Sequence, residues 1–452
     1  MPRQVTILGL GLFGGGVGAA RYFVERGARV IVSDLRNAAA LAESIAALKG
    51  LPIEYRLGAH HEEDFAGSQS VIVNPGVPPE APALEMARRS GAKLDTEINL
   101  LFRLSPAPIA AVTGTNGKST TVALLGEMMR AAGRKTWVGG NLGGSLLPSV
   151  DRMSGRDIVL IEVSSFQCER LSWAGLSPHL GMVLNLTPNH LDRHKDMADY
   201  AAAKRQLLLN QKPRDFAILN ARDPILRTWT AAGRGRKFFF GAKKSSPQGV
   251  RLADNVVHLW REGEAQVVSL ARLRLPGPHN RFNAACASAA AWLLGADATA
   301  IETALSDFPG LPDRIEFVTE KGGVRFCNDS IATTPESTMA ALEAFKEPII
   351  LIAGGSSKNL SFAEVGRRIA QRAKAVVLLG ATAAEIEKAI RRAGGHAPPI
   401  HHTAGLEEAV RTAYRLAQPG EVVLLSPACA SFDMFPNYAA RGQKFREFAL
   451  AL

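Results

Sequence analysis

The sequence predicts an α/β protein with mainly parallel sheets, divided into three domains. Short β-branched runs that are apolar throughout recur along the chain, and Ala- and Leu-rich stretches with helical spacing lie between many of them. Two proline-rich breaks divide the whole.

Strands are expected at Val5–Leu8, Arg29–Ser33, Val71–Val73, Ile109–Val112, Ile158–Val163, Met182–Leu184, Phe216–Leu219, Ile349–Ala353, Ala375–Leu379 and Val422–Leu425. Apolar runs without alternation suit strands covered on both faces, as in parallel sheets. Helices are expected at Thr120–Ala132, Asn283–Leu294 and Leu406–Leu416. The breaks are Ser105-Pro106-Ala107-Pro108 and Phe308-Pro309-Gly310-Leu311-Pro312, which give segments 1–104, 105–311 and 312–452.

At 452 residues the chain is too long for one ordinary core, and length alone suggests about three domains. A hydrophobic fraction of 46% and a mean hydropathy of +0.02 are those of a soluble globular protein. Neither a bilayer-spanning stretch nor the apolar core of a signal peptide is present, so a cytoplasmic location without membrane insertion is expected. Cys168, Cys286, Cys327 and Cys429 lack C-x-x-C spacing, which indicates neither zinc nor a disulfide framework. A formal charge of +11 suits nucleic acid or anionic small substrates alike. The basic and aromatic stretch from Gly233 to Ser246 is the only local concentration of charge, and its simpler reading is a strand with a surface loop. No nucleic-acid partner is therefore expected.

The strongest local signal is Thr113-Gly114-Thr115-Asn116-Gly117-Lys118-Ser119-Thr120, between a predicted buried strand and a predicted helix. Backbone N–H groups of such a loop converge on phosphate oxygens at the positive end of the helix dipole. Lys118 adds a point charge for the outer phosphates, and the Ser119 hydroxyl is a hard-oxygen ligand for Mg²⁺. A nucleoside triphosphate site follows. Its spacing departs from G-x-x-x-x-G-K-[ST], since position 112 is Val. A second glycine turn, Gly9-Leu10-Gly11-Leu12-Phe13-Gly14, follows the first strand, with Asp34 twenty residues beyond Gly14. That is a dinucleotide fingerprint, so a nicotinamide dehydrogenase competes with any other pyrophosphate ligand here.

The T-G-T-N-G-K-S-T loop is similar to the phosphate loop of the Mur ligase family, which also contains folylpolyglutamate synthases. Further stretches over nearly the whole chain resemble that family: Glu162-Val163-Ser164-Ser165-Phe166-Gln167, Asn189-His190-Leu191-Asp192-Arg193-His194, and Gly277-Pro278-His279-Asn280. The stretch from Leu425 to Phe435, with Arg441-Gly442 after it, looks like the branch that adds D-glutamate, and its Ser-Pro-Ala-Cys-Ala-Ser argues against the other branches.

The resemblance implies a Rossmann-like first domain that binds a UDP-linked substrate, a central P-loop ATPase domain and a Rossmann-like C-terminal domain that binds the amino acid. It implies ATP and two Mg²⁺ ions, one held with Ser119 and Glu162 and the other with His190 and Lys204. The family counterpart of Lys204, fourteen residues after His190 on a predicted helix, is carbamylated, which turns a cation into an oxygen ligand. Lys118, Glu162, His190 and Lys204 are the expected catalytic set. Asn280, Arg314 and Asp329 match residues that clasp ATP, alongside the loop Gly114 to Thr120. Gly11, Leu12, Phe13, Asp34, Arg36, Asn141 and His190 match contacts to the UDP-substrate. Thr333, Lys358, Ser431, Phe432 and Tyr438 match positions around the glutamate. Ile331 stands where many members carry Lys, and Asp313 where many carry His. The implied activity is ATP-dependent addition of D-glutamate to UDP-N-acetylmuramoyl-L-alanine through an acyl phosphate, by a monomer in the cytoplasm.

Overall fold

A computed structural model of the chain describes residues 2–11, 14–140, 143–190, 193–241, 246–357, 360–394 and 397–452. Its strands fall into three sheets. The first contains β1 (Gln4–Leu8), β2 (Arg29–Asp34), β3 (Ile53–Leu57), β4 (Ser70–Val73) and β5 (Lys93–Asp95), in the order β3-β2-β1-β4-β5 and parallel throughout. The order reverses between β1 and its two neighbours, and at such a switch point an open parallel sheet leaves a crevice at the strands' carboxyl ends.

The second sheet contains β6 (Ile109–Thr113), β7 (Thr136–Gly140), β8 (Ile158–Glu162), β9 (Leu180–Val183), β10 (Phe216–Asn220), β11 (Arg236–Phe240), β12 (Gln248–Ala253), β13 (Val256–Arg261) and β14 (Glu264–Ser269). Its order is β14-β13-β12-β11-β10-β9-β6-β8-β7. It is parallel from β7 to β12, and β12-β13-β14 is an antiparallel meander. Strands β6 and β8 are buried at every residue, which is why they read as unbroken apolar runs.

The third sheet contains β15 (Glu316–Lys321), β16 (Val324–Asn328), β17 (Ile349–Gly354), β18 (Ala373–Leu379), β19 (Ile400–His402) and β20 (Val422–Leu425). Its order is β15-β16-β20-β17-β18-β19, with only β15 antiparallel to its neighbour. All ten predicted strands form, with ends shifted by a residue or two at most. The helix expected at Thr120–Ala132 spans Lys118–Ala131, that expected at Asn283–Leu294 spans Pro278–Leu293, and Leu406–Leu416 forms as read. The basic stretch near Gly233 does supply a strand, β11.

By internal contacts the chain forms two compact units, residues 1–273 with 282–307, and residues 274–281 with 308–452. Within the first unit one buried apolar cluster runs from Val5 and Ile7 through Leu147 and Val150 to Ala111 and Val159, so the first two sheets share a core. Among the described residues no helix is long and apolar enough to cross a membrane.

Candidate active site

The carboxyl edge of β6 carries the phosphate loop. Gly117 caps the helix Lys118–Ala131 with φ of +85°, and a Cβ there would lie 2.3 Å from Asn283 Oδ1, so only glycine fits. The loop is fixed from outside: Asn185 Oδ1 accepts from Asn116 N at 2.8 Å, and Thr115 N donates to Asn185 O at 3.0 Å. Thr115 Oγ1 accepts from Thr187 N at 3.0 Å and lies 3.2 Å from the Tyr200 hydroxyl. Lys118 Nζ folds back onto Thr115 O at 2.9 Å.

Glu162 ends β8 beside Val112 of β6, which brings its buried carboxylate to the loop, where Oε2 accepts from Ser119 Oγ at 2.7 Å. The next residues turn into the helix Ser165–Leu171 through a capping box, with Ser164 Oγ accepting from Gln167 N and Gln167 Oε1 accepting from Ser164 N. A carboxylate and a hydroxyl within bonding distance beside a phosphate loop are hard-oxygen donors fit for Mg²⁺. Among the described residues no three His, Cys, Asp or Glu side chains gather, so such an ion would take its remaining ligands elsewhere.

Lys204 lies on the helix Met197–Leu209 and is 2% exposed. Its ammonium donates to Thr113 Oγ1 at 3.2 Å and Gly114 O at 3.1 Å, and sits 4.7 Å above the Tyr200 ring. Burial is the main cause that pulls its pKa down to about 7. The Cys168 thiol in the same interior is pushed up to about 11 by burial. His190 is exposed at φ of +55°, with its ring 5.1 Å from that of Phe166. Phe166 also stacks on His194, whose Nε2 lies 3.0 Å from Ser165 Oγ. Of the expected catalytic set, Lys118, Glu162 and Lys204 thus meet the loop, whereas the ring contact of His190 is with Phe166.

At the first sheet's switch point, Asp34 faces the glycine turn. Its Oδ2 accepts from Leu10 N at 2.8 Å and Gly11 N at 3.4 Å, and its Oδ1 accepts from Arg36 N at 2.9 Å. The carboxylate thus shapes the turn, while the Arg36 side chain is exposed. Leu12, Phe13, Asn141 and Lys358 lie outside the described residues.

In the second unit, Arg441 organises the expected amino-acid end. Its buried guanidinium donates to Ser330 O, Cys429 O and Ala430 O, tying the segment after β16 to that after β20. Ser431 is buried in that second segment, whereas Phe432 is 73% exposed and Tyr438, which opens the last helix, is 39% exposed. Thr333 is half-buried after a tight turn, its N–H donating to Ile331 O at 2.7 Å. Asp329 is buried and accepts from Ser426 Oγ at 2.8 Å and Ile315 N at 3.2 Å, yet burial raises its pKa to about 7. Ile315 takes φ of +47°, a strained choice for a β-branched residue, to present that N–H. Half-buried Arg314 adjoins it, and Asn280 Nδ2 donates to Pro276 O at 2.7 Å in the same unit.

Fold and site together define an α/β protein built on a phosphate loop, with one sheet before it and one after. The Mur ligase MurD-like N-terminal domain is matched over residues 3–95, the Mur ligase middle domain over 112–291 and the Mur ligase glutamate ligase domain over 313–429. The chain belongs to the Mur ligase family. It is 40% identical to a UDP-N-acetylmuramoylalanine--D-glutamate ligase of Symbiobacterium thermophilum, over 100% of this chain and 99% of that one. A protein of the same name from Caldanaerobacter subterraneus is 39% identical over 100% of this chain and 98% of its own. Among solved structures, UDP-N-acetylmuramate-alanine ligase MurC from Thermotoga maritima shares the fold, with a TM-score of 0.63 and 19% identity over 99% of each chain. A pseudomurein peptide ligase type C from Methanothermus fervidus does so at a TM-score of 0.60 and 17% identity, again over 99% of each chain.

Proposed function

We propose that the chain is an ATP-dependent ligase that adds D-glutamate to UDP-N-acetylmuramoyl-L-alanine in cytoplasmic peptidoglycan precursor synthesis, acting as a monomer. The observation that carries this reading is 40% identity along the whole chain to a ligase of that name. The site supports it with a phosphate loop, an acidic side chain bonded to it and a buried lysine beneath it. Segments 1–104, 105–311 and 312–452 would serve the UDP-substrate, ATP and the amino acid respectively.

In this reading the loop from Gly114 to Thr120 binds the triphosphate, with Lys118 countering charge on the outer phosphates. Asn280, Arg314 and Asp329 complete the grip on ATP. The first domain holds the UDP end through Gly11, Leu12, Phe13, Asp34, Arg36 and Asn141, with His190 reaching the substrate. The terminal carboxylate attacks the γ-phosphate, giving an acyl phosphate and ADP. The amine of D-glutamate, held among Thr333, Lys358, Ser431, Phe432 and Tyr438, then attacks the acyl carbon and displaces phosphate. Positioning and charge neutralisation dominate phosphoryl transfer, so no side-chain nucleophile is required.

The reading takes two Mg²⁺ ions: Ser119 and Glu162, already in contact, would hold one, and His190 with a carbamylated Lys204 would help hold the other. When bound, they neutralise phosphate charge. Burial favours the reactive form of the lysine, because a pKa of about 7 leaves a neutral amine near neutrality, and the carbamate anion would draw on the cations beside it. That amine attacks carbon dioxide, forms an N–C bond and releases a proton. The test of function is phosphate release from ATP with UDP-N-acetylmuramoyl-L-alanine, comparing D-Glu, L-Glu and D-Asp. Release only with D-Glu is expected; equal release with all three, or with none, would refute the assignment.

A further inference from the structure

Two guanidinium groups of the second-sheet region close on a single carbonyl of the first. Arg170, 1% exposed, donates from Nη2 to Val77 O at 2.8 Å and lies over the Trp173 ring at 4.2 Å. Arg193 donates to the same oxygen at 3.3 Å and lies 5.4 Å from the Phe166 ring. Among the described residues no carboxylate is within ion-pair distance of Arg170, and its buried Nε has no acceptor. Burial holds its pKa down to about 10. A buried charge without a carboxylate in ion-pair contact is costly, so burial alone does not account for an arginine at this position.

Its contacts explain it better. Val77 closes the turn after β4, with Val77 N donating to Asn74 O at 3.0 Å. Asn74 packs directly on the glycine turn, so closely that a Cβ on Gly11 would lie 2.6 Å from its Nδ2. On the other side, Arg170 belongs to the short helix Ser165–Leu171, which begins three residues after Glu162. The backbone of Arg170 is held as well, because Asn99 Nδ2 from the first region donates to its carbonyl at 3.0 Å. Glycine turn, Asn74, Val77, Arg170, helix, Glu162 and Ser119 thus form one unbroken series of contacts.

We propose that Arg170, backed by Arg193, is a positioning residue that sets the spacing between the glycine turn and the phosphate loop. This rests on the ligase reading, in which the acceptor carboxylate enters from the first and the nucleotide sits on the second. A spacing error of about 1 Å costs a bimolecular step on the order of 10²-fold.

The experiment compares wild type, Arg170→Gln, Arg170→Lys and Arg193→Gln. In Arg170→Gln, kcat should fall about 10²-fold, with KM for ATP and Kd for the UDP-substrate each within about threefold and Tm little changed. Arg170→Lys, which keeps one donor for Val77 O, should recover part of kcat. Amide hydrogen exchange at Asn74, Gly76 and Val77 should quicken in Arg170→Gln while β6 stays protected. Unchanged kcat in Arg170→Gln overturns the proposal, and so does a loss accompanied by weakened binding of both ligands and a lower Tm. The exchange measurement stands apart from turnover: unchanged exchange at Asn74, Gly76 and Val77 overturns the clamp even if wild type proves not to be a ligase, whereas an inactive wild type with quickened exchange refutes the ligase alone.

Discussion

Lys204 in the first unit and Asp329 in the second are both buried, both ionisable, and both drawn to a pKa of about 7 from opposite sides. Burial disfavours whichever form carries charge, so it lowers the amine and raises the carboxyl. What separates them is their company. Asp329 has Ser426 Oγ, Ile315 N and the Arg314 guanidinium, all of which favour its anion. Lys204 has a hydroxyl and a carbonyl that accept from its ammonium, and of the charges around it Cys168 and Glu162 favour the cation while Lys118 opposes it, so burial decides. A buried acid with donors around it can be switched by what binds. A buried amine beside another cation is better suited to chemical conversion.

The comparison can be broken first at Lys118, the cation beside Lys204. Lys118→Ala should reduce ADP formation by about 10³-fold or more, with binding of the UDP-substrate within a few-fold of wild type by calorimetry. Undiminished turnover would remove the phosphate loop from the mechanism. Next comes Lys204→Ala, expected to be inactive and partly restored by short carboxylic acids that replace the missing oxygen ligand. Full activity with no addition would exclude the carbamate, as would failure of labelled bicarbonate to mark Lys204 above pH 7.

The smallest effect belongs to Asp329. Its folded-state pKa is about 7 against an ordinary 3.8, so the folded protein keeps a proton that the unfolded chain gives up. That contribution to stability is complete below pH 4 and is lost as pH rises to about 7. Asp329→Asn should flatten this decline, narrowing the Tm difference between pH 5 and pH 7.5 by a few degrees. An undiminished decline in the variant would assign the titration to another group, such as Glu97, also raised to about 7 by burial.

The phosphate loop could be read because its glycines, lysine and serine are contiguous, and a strand-to-helix turn needs no distant partner to be recognised. The buried strands were equally plain. Strands such as β3, Ile-Glu-Tyr-Arg-Leu, and the meander β12-β13-β14 mix polar and apolar residues over short spans, and a search for wholly apolar runs passes over them. Alternation at Glu264-Ala265-Gln266-Val267 was the available signal for the meander. Tyr200 meets Thr115 across 85 residues, Arg170 meets Val77 across 93, and Arg441 meets Ser330 across 111. No local pattern announces such pairs. Asp34 ends β2, one residue beyond the predicted strand, but the choice of its carboxylate to brace the turn is a rotamer, which spacing does not encode.

The place of β6 in its sheet has a consequence for biosynthesis. Its residues pair with β8 on one side and β9 on the other, so Thr113 acquires its last strand neighbour only at Val183. A ribosome releases the glycines of the loop long before it makes either flank. Occupancy by nucleotide is accordingly a late sign of maturation: nascent chains stalled before residue 183 should pass over an ATP resin, and retention should begin only once Asn185, Thr187 and Lys204, which hold the loop, have also emerged.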